Sequence, residues 1–206
     1  MNLPKAILFD LDDTLLDYDG KADETWRHVC ARFAPEAGVE AEALYHAIRD
    51  YAEWHWSDPV RHRDGRLKLR EARRGIVRCA FERLGVEAPS LADRIADAYS
   101  TSREEALAPL PGAVETLSRL RARQIPLALV TNGSSELQRA KIRRFGLEPF
   151  FQVILVEGEF GAGKPDERIE LKGDETFPTA STIKTTIMCE AMHQVEEGKV
   201  GWTDMI

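Results

Sequence analysis

The chain has 206 residues, 43% of them hydrophobic and 31% charged, which excludes a fibrous or wholly disordered polymer and suits one good core plus a small accessory domain. A formal net charge of −7 leaves no electrostatic footprint for nucleic acid, and the arginines between Arg61 and Arg78 read as a solvated helix face. Cys30, Cys79 and Cys189 share no CxxC spacing, and no apolar run approaches the roughly 18 residues of a membrane span, so free thiols, a cytoplasmic location and no membrane partner are expected.

Ala6 to Phe9 is a short apolar run that stops at Asp10, the pattern of a buried strand delivering acids to its carboxyl end. From Ala22 to about Leu107 the apolar spacing is helical, with breaks expected near Pro35, Pro59 and Pro89, and this block reads as a separate helical domain. Pro111 sits where a first-turn proline would, before an amphipathic helix carrying Val114, Leu117 and Leu120. Leu127 to Val130 is a second buried strand, followed by a helix from about Ser135 to Phe145 that Gly146 stops. Val153 to Val156 is a third, ending in a loop from Glu157 to Pro165. This alternation predicts an α/β fold with a doubly wound parallel sheet, whose sites lie at the carboxyl edge.

All three strand ends carry chemistry. Asp10 and Asp12, two residues apart, can aim at a common point where a cation would relieve their repulsion. Thr131, Asn132 and Gly133 offer a hydroxyl, an amide and backbone N–H groups at a helix N-terminus, a place suited to phosphate oxygens. Lys164, in Gly161-Ala162-Gly163-Lys164-Pro165-Asp166, brings a lysine from the third strand end. Each motif alone also has an ordinary reading as an acidic turn, a helix cap or a solvated lysine.

Together and in this order, FDLDDTL, LVTNGS and GKPD resemble the motifs of the haloacid dehalogenase-like (HAD) superfamily, over about residues 4–169. The resemblance implies a Rossmannoid core from residues 1–16 and 108–169, incomplete here, with an inserted α-helical cap of the C1 type over 17–107. It also implies an aspartyl-phosphate mechanism. Asp10 would be the nucleophile and Asp12 the general acid and base; Thr131, Asn132 and Gly133 would hold phosphate, and Lys164 would neutralise charge. Mg²⁺ would sit on Asp10 and Asp12, with Asp174 as a further candidate ligand. Phosphatases of the family carry Asp at the second position after the nucleophile, where dehalogenases carry an aromatic residue, so Asp12 favours phosphate ester hydrolysis; a small phosphorylated metabolite is the expected substrate.

The tail departs from that pattern. The acidic fourth motif expected beyond the lysine is not supplied, which leaves a catalytically inactive domain as an alternative reading. Residues 170–206 instead resemble the SxxK region of a β-lactamase or penicillin-binding protein, with Ser181 and Lys184 as the matching pair, so the chain reads as a chimera. A serine acyl hydrolase is the third reading. The stripe Ile183, Ile187, Met188, Ala191, Met192 and Val195 predicts one amphipathic helix in this segment, and a sheet short of strands predicts self-association.

Overall fold

The computed structural model describes residues 6–164. Asp174, Ser181, Lys184 and the expected C-terminal helix lie outside the described residues. In chain order the elements are β1 (Ile7–Phe9), β2 (Leu16–Asp17), α1 (Ala22–Ala37), α2 (Ala41–Ser57), α3 (Pro59–Leu67), α4 (Leu69–Leu84), α5 (Pro89–Ala106), β3 (Ala108–Pro109), α6 (Ala113–Ala122), β4 (Leu127–Thr131), α7 (Ser135–Arg144), a 3₁₀ turn (Glu148–Phe150), β5 (Val153–Val156) and α8 (Glu157–Phe160). They form two compact units, one spanning Tyr18–Leu107 and the other built from the chain up to Asp17 and again from Ala108.

The α/β unit is organised by a parallel sheet of order β1-β4-β5. Its central strand, Leu-Ala-Leu-Val-Thr, is buried along its whole length, as expected of a strand flanked by neighbours and covered on both faces. β1 pairs Phe9 with Leu129, and β4 runs on to pair Thr131 with Val156, so the ends of all three strands fall at one edge. Leu11, Leu15 and Leu16 are buried just past β1, where the Leu11 carbonyl accepts from both the Leu15 and Leu16 amides and closes a tight turn. Asp13 takes a left-handed backbone, φ 55°, in that turn, a conformation Asp tolerates better than most residues. The turn leads into β2, which pairs antiparallel with β3; a two-residue pair of this kind is too short to leave a hydropathy signal. The helical unit is inserted between these two short strands.

In the helical unit, helices α1, α2, α4 and α5 bury a shared core that includes Phe33, Ile48, Val77, Phe81 and Ile95. Trp26 of α1 stacks on Tyr99 of α5 with ring centroids 3.6 Å apart and planes within 7°. The arginine-rich stretch is not solvated throughout: Arg73 is buried and donates to the Ser100 hydroxyl, while Arg74 and Arg78 of α4 make two-point contacts with Asp97 and Asp93 of α5, at 2.6 to 3.0 Å. Such exposed pairs fix helix register more than they add stability.

The breaks expected near Pro59 and Pro89 are present, and two boundaries, at Pro35 and Pro111, differ from the sequence expectation. α1 runs through Pro35 and ends at Gly38, whose left-handed backbone (φ 69°) is the true stop, because a proline in the last turn removes only one hydrogen bond. Pro59 and Pro89 open α3 and α5 rather than merely separating helices, and the Asp58 carboxylate caps α3 by accepting from the Arg61 amide at 2.8 Å. Pro111 lies before the N-cap of α6, Gly112, and is not part of its first turn.

Candidate active site

The carboxyl edge of the sheet brings together Asp10, Asp12, Thr131, Asn132 and Lys164. Lys164 Nζ lies 2.6 Å from Asp10 Oδ1, and the same ammonium donates to the Val130 carbonyl at 3.1 Å. Lys164 is 9% exposed; burial to this degree strengthens the Coulombic attraction but demands that the charge be paired, which Asp10 does. Asp10 Oδ1 also accepts from the Leu11 amide at 2.8 Å, so backbone and lysine together hold its orientation.

The loop that carries Lys164 is tied to β4 by Asn132. The Asn132 carboxamide donates to the Lys164 carbonyl at 2.6 Å and accepts from the Lys164 amide at 2.7 Å. Both ends of that side chain are therefore engaged in positioning the lysine. Gly133 has φ 115°, open to glycine and strained for other residues, and its amide donates to Glu157 Oε2 at 2.9 Å. Glu157 is 4% exposed, and a Cβ on Gly163 would run into its carboxylate, so the close approach of the Lys164 loop depends on that glycine. Ser134 caps α7, accepting from the Leu137 amide. The helix thus presents its N-terminal N–H groups beside Thr131 to Gly133, where an anion is favoured. Thr131, Asn132, Glu157, Phe160, Gly163 and Lys164 line a small recess at this edge.

Asp12 is engaged from α7. Lys141 Nζ sits 2.8 Å from each of its oxygens, and Gln138 Nε2 donates to Oδ2 at 3.1 Å and to Thr131 Oγ1 at 2.5 Å. Sequence reading missed Gln138, Lys141 and Glu157. The available signal was Gln138 itself, 3% exposed and one turn before the buried Ile142, a polar residue at a core position of an otherwise ordinary amphipathic helix. Between α7 and α8, Arg139 and Glu159 form a two-point pair at 2.8 and 2.7 Å that lowers the Glu159 carboxyl below its usual range, with the Ser135 hydroxyl adding to the effect.

Among the described residues no group of three or more His, Cys, Asp or Glu side chains could hold a metal ion, and no helix is long and apolar enough to cross a membrane.

Comparison with known proteins agrees with this geometry. Residues 4–172 match the haloacid dehalogenase-like hydrolase family, while residues 161–206 match the β-lactamase enzyme family, overlapping the end of the first match. The chain is 32% identical over 170 residues to a glyceraldehyde 3-phosphate phosphatase of Methanopyrus kandleri, covering 80% of this chain and 66% of that protein. It is 34% identical over 190 residues to a phosphoserine phosphatase of Thermus thermophilus, covering 80% and 72%. The chain therefore spans about two thirds of the length of these relatives. Among solved structures, magnesium-bound YfnB of Bacillus subtilis, described as a HAD hydrolase, superposes with a TM-score of 0.54 at 25% identity, over 77% of this chain and 67% of that one. A Thermotoga maritima protein described as a β-phosphoglucomutase shares the fold, with a TM-score of 0.53 at 24% identity, over 78% and 65%. A chain whose three motifs converge at one sheet edge and whose residues 4–172 carry this match belongs to the haloacid dehalogenase-like hydrolase family.

Proposed function

We propose that the protein is a phosphatase that hydrolyses a small phosphorylated metabolite through an aspartyl-phosphate on Asp10. The observation that carries this reading is the Lys164–Asp10 pair at 2.6 Å, set beside the Thr131 hydroxyl and the α7 N-terminus at the carboxyl edge of the sheet. The names of the relatives, phosphatases of small metabolites, support the same substrate class.

In the proposed reaction an Asp10 carboxylate oxygen attacks phosphorus while the bond from phosphorus to the leaving oxygen breaks. Asp12 gives that oxygen its proton. Water then attacks the phosphorus of the aspartyl-phosphate, Asp12 takes the proton of that water, and inorganic phosphate leaves with Asp10 regenerated. Lys164 pairs with Asp10 and offsets phosphate charge, the Thr131 hydroxyl and the Asn132 amide face the phosphoryl oxygens, and the Asn132 side chain holds the lysine in register. With its amide engaged by Glu157, Gly133 acts here mainly through the shape of its loop.

The donor chemistry at the strand end fits Mg²⁺. Asp10 and the backbone carbonyl of Asp12 are hard oxygen ligands, and Mg²⁺ is commonly held by one or two carboxylates together with substrate phosphate and water. When bound it would offset the negative charge of nucleophile and phosphate. Magnesium-bound YfnB supports this cofactor. Acid quench during turnover followed by peptide mapping tests the mechanism: a phosphorylated peptide containing Asp10 is expected, and turnover with no labelled peptide at any quench time contradicts it.

A second reading has one specific observation behind it, the β-lactamase family match at 161–206 that includes Ser181 and Lys184. It makes the tail a segment of foreign origin. A fluorescent penicillin distinguishes a serine acyl hydrolase, which it labels covalently, from the phosphatase, which it leaves unlabelled.

A further inference from the structure

Asp12 is held by two side chains that the proposed reaction has not used. Lys141 and Gln138 lie one turn apart on α7, so both project from one face of the helix. Lys141 makes contacts of 2.8 Å to each oxygen of the Asp12 carboxylate, and its side chain is 14% exposed. Gln138 spends its carboxamide N–H groups on Asp12 Oδ2 and on the Thr131 hydroxyl, linking the first strand end to the second through one buried amide. A carboxylate held at three points has little rotational freedom. In proton transfer, where a displacement of about 1 Å costs on the order of 10²-fold in rate, such restraint has catalytic value.

We infer that Lys141 and Gln138 are positioning residues that aim the Asp12 carboxyl at the leaving-group oxygen, and that Lys141 carries most of this effect. The inference rests on the phosphatase reading and deepens it. The role is orientational, and neither residue touches the reacting phosphorus. It requires that their loss be felt in proportion to how much the leaving group needs a proton. A binding role or a general loosening of the fold would instead slow all substrates alike.

The experiment measures kcat/KM, which reports steps up to departure of the leaving group, for a series of aryl phosphates from 2,4-dinitrophenyl through 4-nitrophenyl to unsubstituted phenyl phosphate. Wild type, Lys141→Met, Lys141→Arg, Gln138→Leu and Asp12→Asn are compared, with circular dichroism melting for each. The expected result for Lys141→Met is a loss on the order of 10- to 100-fold with phenyl phosphate and little loss with the dinitrophenyl ester. The plot against leaving-group basicity should therefore steepen towards that of Asp12→Asn, with Lys141→Arg restoring most of the activity. Gln138→Leu should steepen it less. Parallel plots of unchanged slope for both Lys141→Met and Gln138→Leu, or a loss confined to KM, overturn the inference while leaving the phosphatase standing. If the methionine variant fails to fold, the slope for Gln138→Leu decides. A folded wild type that hydrolyses none of the series overturns the phosphatase reading and this inference with it.

Discussion

Lys164 reaches Asp10 from the far side of the sheet: its ammonium, supplied after β5, lies 2.6 Å from a carboxylate supplied after β1, with the whole of β4 between the two strands. The contact is possible because the buried central strand ends where both neighbours end, and because Asn132, at the tip of that strand, binds the Lys164 backbone through two hydrogen bonds. The Lys164–Asp10 pair and the sheet topology are thus coupled through one side chain.

Replacing Lys164 with Met keeps the length of the side chain and removes its charge. The Asp10 carboxylate then loses its cation in a site of low exposure, and aryl phosphate turnover is expected to fall by about 10²- to 10³-fold, the range found when a preorganised electrostatic donor is removed. A steady-state assay beside a thermal melt checks this. Turnover within a few fold of wild type would show that the pair is structural.

Two glycines in the helical unit should respond oppositely to alanine. Gly75, exposed in the middle of α4, has nothing within 4 Å of where a Cβ would stand, so Gly75→Ala is expected to stabilise by about 0.5–1 kcal/mol through backbone entropy and helix propensity. At Gly65 in α3 a Cβ would meet His55 Nε2 at 2.7 Å and Trp56 Cζ3 at 2.8 Å, and overpacking of this kind costs about 1–3 kcal/mol, which exceeds the propensity gain. Urea titration of both variants, fitted for the helical unit, tests the sign of each change. Two shifts in the same direction would contradict the packing around Trp56.

His55 should make stability depend on pH near neutrality. Its imidazole is held below its ordinary value of 6.5, first by burial and then by the charges of Arg61 and His62, and its Nε2 is buried without a hydrogen-bond partner. Because the folded-state pKa is depressed, the unfolded chain takes up this proton first. The contribution is present in full above about 6.5 and is lost as the pH falls through the folded value. Melting curves between about pH 7.5 and about pH 5 should fall more steeply for wild type than for His55→Gln. The carboxylates lowered by ion pairing, Asp93 and Glu159, act with the same sign but only nearer their ordinary values of 3.8 and 4.5. Identical slopes for the two proteins would remove His55 as the cause.

How much of this was legible in the sequence differs from residue to residue. Asp10 and Thr131 stand at the ends of short apolar runs and Lys164 in the loop after a third, and three strand ends in a parallel sheet must share an edge. The inserted helices were legible from their apolar spacing, since five helices and no strand fill Ala22–Ala106. Lys141 was hidden, because a lysine on an amphipathic helix ordinarily reads as its wet face, and only the tertiary fold turns it towards Asp12. The engagement of both ends of Asn132 by the Lys164 backbone was hidden for the same reason: it depends on a contact between positions 32 residues apart. At Pro35 and Pro111 local rules were applied a few residues from where the caps Gly38 and Gly112 set the ends.

Phosphatase chemistry on Asp10 is decided by hydrolysis of 4-nitrophenyl phosphate by the purified full chain, with Mg²⁺ and with a chelator, beside Asp10→Asn. Release of nitrophenol that needs the metal and disappears in the variant is expected. A folded wild-type protein with no hydrolysis, or activity that Asp10→Asn retains, would contradict it.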